Sequence, residues 1–454
     1  MLTCLASYGD DDVVLIRDSE IEDVLIDILN PILDVAGVSR KSVKIYVLGS
    51  KTVNAFATFD RTVFICAGLL FKAEKVEHIV GVLSHEIGHI ACEHLIRHIG
   101  MAERSKILSG ALMLLGIGAG MMAGSPDLVM GGVLGGIAMG TNTFLYHSRA
   151  EEEAADNKAM EFMQKLGLSS RGLLEITEIF ALSARLNIGE KGLPNTHPDI
   201  EERVNYLRSN VDRYKQQTTR SGKIPDGIEE RYKRIKVKLW AYSAPIEKVL
   251  AKYPKNDDSM ETLYARAIAL NRRGDFNGSI TCINILISRF PKDPYLAETK
   301  AQILYENSRI AEAVMLYRRL VAMKKDDVLL NVTFANALVK SGDIASLNEA
   351  EKVLHNVLIK DRTELLAWRL LSIIYGRRNE YGESALMLAE SALLRENKNE
   401  AIAQAKRAIK YGLKSPGQRQ RAEYIAQVKT SNRKSKKPSS TDKNNVLSLT
   451  AAKL

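Results

Sequence analysis

Gly274-Asp275 returns as Gly342-Asp343, with Ser308-Arg309 at the intermediate place, a spacing of two periods of about 34 residues. A helix pair of that length cannot bury its apolar face alone, so the spacing commits this stretch to a stack of pairs packed on their neighbours. Tyr264, Ala265, Ala267 and Ala269 belong to a first helix, 279–289 to its mate, and Pro291-Lys292-Asp293-Pro294 to the break before the next pair. Further pairs are expected over 296–320, 328–358 and 365–394, within an all-α solenoid at 246–428.

That solenoid takes up less than half of the 454 residues, and a chain of this length divides into more than one unit. With 46% hydrophobic and 26% charged residues, it is not a wholly disordered chain. The net charge of +10 suits acidic partners or an anionic surface, yet part of it sits at Lys429, Arg433, Lys434, Lys436 and Lys437, in a tail at 429–454 read as flexible. No base-stacking motif or nucleic-acid module accompanies that charge, so specific nucleic-acid binding is not expected. Cys4, Cys66, Cys92 and Cys282 show neither CxxC spacing nor the density of a disulfide scaffold. The segment 1–14 has no basic n-region and meets Asp10, Asp11 and Asp12 before any long apolar stretch. It is not read as an export signal, so either the chain is not exported or its true start lies upstream.

Ahead of the solenoid, residues 15–46 carry Ile21, Val24, Leu25, Ile28 and Leu29 at helical spacing, with Asp18, Glu20 and Asp23 near the start. An amphipathic helix is expected there, its early acids facing the positive end of the helix dipole. The β-rich runs 43–48 and 62–66 point to a small sheet with turns at Gly49-Ser50 and Phe59-Asp60. Residues 73–99 return to helical periodicity. Residues 107–124 and 128–139 are almost wholly apolar, the first at the lower limit of transmembrane length and the second too short. They are read as a helical hairpin at 107–139, buried or lying against a membrane surface. A single crossing would separate chemistry-bearing residues that must stay on one side.

Those residues begin with Leu83-Ser84-His85-Glu86-Ile87-Gly88-His89, an HExxH sequence on a predicted helix. His85 and His89 are one turn apart and direct their imidazoles at one point, a donor pair suited to Zn2+. Glu86, beside the first of them, reaches the water such a site holds and takes the role of general base and proton donor rather than ligand. A catalytic site needs a third protein ligand, and 146–156, YHSRAEEEAAD, offers it. Glu152 and Asp156 share one helix face, so Glu152 can bind metal while Asp156 orients a ligand histidine through its other ring nitrogen. Spacing alone leaves Glu153 open as the third ligand. A solvated acidic face is the alternative in isolation, and the neighbouring HExxH argues against it. His94 and His98 lie nine residues beyond His85 and His89, on the opposite side of an ideal helix, and are read as packing or surface groups. Glu93 is a possible carboxylate by face geometry, while His78, His147 and His355 carry no ligand argument.

Together these segments closely resemble the M48 family of zinc metallopeptidases, in particular bacterial periplasmic members that join a protease domain to tetratricopeptide repeats. The likeness is carried by LIRDSEIE at 15–22, Asn54-Ala55-Phe56, Gly68-Leu69-Leu70, VLSHEIGHIACEH at 82–94, SRAEEEAAD at 148–156 and THPDIEER at 196–203. It covers nearly all of the chain outside the tail. The resemblance implies an α+β, mainly helical chain, with a zincin-like metalloprotease domain at 15–245 followed by tetratricopeptide-like repeats at 246–428. It implies that His85 and His89 are metal ligands, Glu86 the catalytic glutamate, Glu152 rather than Glu153 or Glu93 the third ligand, and Asp156 its ExxAD aspartate. By the same likeness, His197 is a conditional metal ligand or transition-state contact whose loss activates a latent enzyme. Arg149 and Arg203 fall near the site, with roles from carboxylate pairing to substrate orientation.

The function so implied is that of a zinc-dependent endopeptidase degrading misfolded or stalled envelope proteins. The expected partners are unfolded substrates, outer-membrane proteins and their assembly machinery, engaged through the repeats, with chaperone-like assistance alongside proteolysis. The expected location is the periplasm, peripheral to the membrane. The alternative is a repeat-based scaffold or chaperone whose peptidase site is latent.

Overall fold

The computed structural model describes residues 14–58, 60–94, 147–186, 199–212, 224–395 and 397–428. The sheet expected near the start has four strands, β1 (Leu15–Ile16), β2 (Lys44–Leu48), β3 (Ala55–Ala57) and β4 (Thr62–Cys66), in the order β1-β2-β4-β3. β2 and β4 are parallel, with Ile45 opposite Val63 and Val47 opposite Ile65, and β1 and β3 flank them antiparallel. β4 is buried along its whole length, as its Val, Phe and Ile content suits.

The helix expected over 15–46 is α1 (Ser19–Ala36). Asp18 starts it by accepting a hydrogen bond from the Ile21 amide at 3.0 Å, and Gly37, at φ 70°, ends it. The apolar residues on either side go into β1 and β2 instead. α2 (Ala67–Lys72) leads to α3 (Val76–Ala91), which is buried continuously from His78 to Ile90. A helix apolar on every face needs neighbours all round. α1, β3, α4 (Arg149–Lys165) and α5 (Arg171–Arg185) supply them. Two glycines set the approach. A Cβ on Gly81 would stand 2.8 Å from Leu173 Cα in α5, and one on Gly88 would stand 2.9 Å from the Ala155 carbonyl oxygen in α4. α6 (Ile200–Asn210) packs on α4 and α5.

α7 (Ile228–Ser243) and α8 (Ile246–Lys252) precede five helix pairs. These are α9 (Met260–Arg272) with α10 (Phe276–Arg289), α11 (Pro294–Glu306) with α12 (Ile310–Met323), and α13 (Val328–Ser341) with α14 (Ile344–Lys360). α15 (Leu365–Arg377) with α16 (Tyr381–Leu394) follows, and a fifth pair not singled out in the sequence, α17 (Lys398–Tyr411) with α18 (Pro416–Ala426). A residue of positive φ separates the partners every time: Gly274, Ser308, Gly342, Asn379 and Gly412. The recurring dipeptide is thus the visible part of a recurring left-handed turn.

One apolar cluster runs from Ile16 through α1, α3 and α7 to Ile283, Leu286 and Ile303 of the first repeat helices, and a second runs from Ala301 to Ile425. Polar groups reinforce the junction. Lys238 on α7 meets Asp18 at 2.7 Å and Glu20 at 3.1 Å, and Tyr264 on α9 donates to Glu20 at 2.8 Å. Further along the array, Tyr295 donates to Asp23 at 2.7 Å, Ser19 to Glu298 at 3.3 Å, and Arg17 faces Glu364 at 3.6 Å. Residues 17–23 are therefore held by the first, second and fourth pairs. Among the described residues, no helix is long and apolar enough to cross a membrane. The hairpin read at 107–139, the start of the chain through residue 13 and the tail from 429 lie outside the described residues.

Candidate metal centre

α3 carries His85, Glu86 and His89, none more than 3% exposed. The one-turn spacing brings the two histidine Nε2 atoms to 3.0 Å from each other. α4 adds the carboxylate. Ser148 and Glu151 form a capping box, in which the Glu151 amide bonds to Ser148 Oγ and the Glu151 carboxylate accepts the Ser148 amide at 2.9 Å. This start fixes the rotation of the helix. Glu151 is spent on the cap, Glu152 turns inward to 1% exposure and Glu153 faces solvent. The Glu152 oxygens lie 3.5 Å and 3.4 Å from Nε2 of His85 and His89. His85, His89 and Glu152 thus place three donor atoms around one point, and two imidazoles with one carboxylate are the donor set of a catalytic zinc site. The residues fit the ion.

Asp156, one turn after Glu152 and fully buried, lies 2.8 Å from His85 Nδ1. Arg203 on α6 grips the same carboxylate with Nε at 2.9 Å and Nη2 at 2.7 Å, while its Nη1 lies 2.9 Å from Glu152. The Asp156 bond places the His85 proton on Nδ1 and leaves Nε2 its lone pair for a metal. The 3.2 Å approach of Arg203 Nη2 to His85 Nδ1 is then two donors side by side on one carboxylate, since a guanidinium cannot accept. Burial would raise the Asp156 carboxyl, but Arg203 and His85 outweigh it and hold it down at about 2. Burial would likewise lower the Arg203 guanidinium, and Asp156 and Glu152 keep it above its ordinary value. For His85, burial and Arg203 push down, and Asp156 and Glu152 more than restore the charged form. Metal uptake must displace that proton.

The remaining sequence candidates occupy different places. Arg149 does not join the buried cluster. Its side chain is 64% exposed and pairs with Glu202, and both residues line a cleft of about 330 Å³ that opens over Glu152, Asp156 and Arg203. Arg203, for which the sequence names no catalytic part while it offers Arg149 for one, is the buried counterion of two carboxylates. Glu93 is exposed and has φ 55°, so it takes no part. His197 lies outside the described residues.

His94 and His147 are both buried and pack on His89, and His94 does so on the side of α3 that the ideal-helix argument excludes. The ideal-helix argument puts His94 opposite the metal-facing stripe, but α3 stops at Ala91. The turn at Glu93 brings His94 Nδ1 to 3.0 Å from His89 Nδ1, and His147 stacks on the His89 ring with centroids 3.8 Å apart. Both are 3% exposed. No glycine or proline marks that turn, so the sequence carries no local signal for it.

Residues 19–211 match the model of peptidase family M48. The β-barrel assembly-enhancing protease of Yersinia pestis is 21% identical over 363 residues, covering 79% of this chain and 72% of the relative. Its namesake from Escherichia coli strain K12 is 20% identical over 366 residues, with the same two shares. The metalloprotease YcaL of that strain is 30% identical over 169 residues, 37% of this chain and 61% of the relative. A helix capped to turn Glu152 onto the HExxH histidines, inside a segment that matches this family, makes residues 19–211 a peptidase domain of family M48, followed here by a helix-repeat region.

Proposed function

We propose that the chain is a zinc-dependent endopeptidase acting on misfolded or stalled envelope proteins, with the repeat region as the surface that engages them. The observation that carries this reading is the convergence of buried His85, His89 and Glu152 next to Glu86, with Glu152 also lining a surface cleft. His85, His89 and Glu152 would hold zinc, which would supply a water of lowered pKa and Lewis-acid polarisation of the scissile carbonyl. Glu86 takes the proton from the attacking water and returns it to the leaving amine. Asp156 keeps His85 in the tautomer that leaves Nε2 available, and Arg203 balances the charge of Asp156 and Glu152. Arg149, at the cleft rim, orients bound peptide. His197 acts as a conditional ligand that restrains the resting enzyme, and His197→Ala would raise the basal peptidase rate.

The left-handed turns and helix pairs support a tetratricopeptide-like array. Relatives named for enhancing β-barrel assembly support clients among outer-membrane proteins and their assembly machinery, and a periplasmic, membrane-peripheral location. The test compares wild type with Glu86→Gln for zinc content and for cleavage of an unfolded outer-membrane protein. Equal zinc in both, with cleavage by wild type alone, is expected. Client binding without cleavage by either would overturn the peptidase in favour of the scaffold.

A further inference from the structure

Asp156 fixes His85, yet His89 needs the same service. A histidine that gives Nε2 to a metal must carry its proton on Nδ1, and an acceptor there sets both tautomer and ring direction. The atom facing His89 Nδ1 is Nδ1 of His94, at 3.0 Å. Getting it there requires Glu93 at φ 55°, a left-handed conformation that a side-chain-bearing residue rarely adopts. Strain of this kind persists where the surroundings enforce it, and clusters at functional sites.

His89, His94 and His147 also bring ligand-type atoms close together, which raises a second metal site as a rival reading. The ring geometry rejects it. A bound metal lies near the plane of each ligating imidazole, at about 2 Å from the nitrogen. His147 and His89 are stacked with planes only 24° apart and centroids separated by 3.8 Å. Two nearly parallel planes a ring's thickness apart do not meet within a bond length.

We propose that His94 is the positioning residue of His89. It accepts the His89 Nδ1–H and carries its own proton on Nε2, while the stacked His147 ring holds the plane of His89. The two ligand histidines are then steered by different chemistry, His85 by a carboxylate and His89 by a neutral imidazole. This rests on the reading of the centre as a zinc site.

The test is Zn2+ affinity of the full chain, by competition with a chromophoric chelator, for wild type, His94→Asn, His94→Gln and His94→Leu. Thermal unfolding of each in excess chelator serves as the folding control. Asparagine keeps an acceptor where Nδ1 stood, glutamine moves it outward, and leucine removes it. Asparagine is expected to bind close to wild type, and glutamine and leucine to weaken binding roughly 10- to 100-fold. Wild-type affinity in the glutamine variant, or equal losses in asparagine and leucine, would overturn the role of His94 while leaving the centre intact. A wild-type chain that takes up no zinc would overturn the centre and its positioning together.

Discussion

Arg203 on α6 and Asp156 on α4 share two parallel hydrogen bonds, Nε to Oδ2 at 2.9 Å and Nη2 to Oδ1 at 2.7 Å, where water is nearly excluded. The third nitrogen of the same guanidinium serves Glu152. Arg203→Met leaves two buried carboxylates without a counterion and should cost about 3–5 kcal/mol. Arg203→Lys supplies the charge but not the fork, and should recover only part of the loss. Thermal unfolding in chelator measures both. A lysine variant as stable as wild type would show that charge alone is needed.

Gly88 governs how closely α3 approaches α4. A methyl group there meets the backbone oxygen of Ala155 at 2.9 Å, and backbone cannot swing aside as a side chain does. Gly88→Ala should push α4 outward, cost about 1–3 kcal/mol, and weaken zinc binding because Glu152 travels with the helix. Unchanged zinc affinity in a destabilised Gly88→Ala protein would separate packing from metal binding.

The left-handed turns of the array give a pair of opposite signs. Ser308 holds φ 62° with a side chain, while Gly342 holds φ 84° without one. Ser308→Gly should stabilise slightly, by several tenths of a kcal/mol, and Gly342→Ala should destabilise by about 1 kcal/mol or more. Urea unfolding curves of the two variants would read both signs.

Glu298 gives the junction a pH dependence. Burial raises its carboxyl from 4.5 to about 7, with Asp18 and Asp327 adding to the shift and Lys238 opposing it. A carboxyl raised in the folded chain contributes stability that is full below the unfolded value of 4.5 and is lost as pH rises through about 7. The melting temperature of wild type should therefore fall relative to Glu298→Gln across that window. Parallel profiles for the two proteins would show that Glu298 does not titrate there.

Much of this was legible because it is written locally. HExxH on one helix, the acidic run of α4 and the turn dipeptides of the array each announce themselves over a few residues. Spacing left Glu152 and Glu153 open, because the choice depends on the rotation that the Ser148–Glu151 cap imposes. The short strand Ala55–Ala57 was not read as an element, since three residues carry no usable period. The sequence favours Arg149 over Arg203 because burial, not residue type, distinguishes them. The side of α3 on which His94 packs is not legible, because the ideal-helix argument extends α3 past Ala91 and only the turn at Glu93 shows otherwise.

Arg17 and the opening of α1 touch Tyr264, Tyr295, Glu298 and Glu364, so the array is fastened to the peptidase domain at several points along its length rather than hung from one end. A tether lets a captured chain reach a cutting site at many places. If the array holds clients as proposed, a fastened one would act instead as a ruler. The separation between a docked segment and the His85–His89 pair is set by the fold, and the sites of cleavage in a client should fall at a fixed reach from the segment that is held.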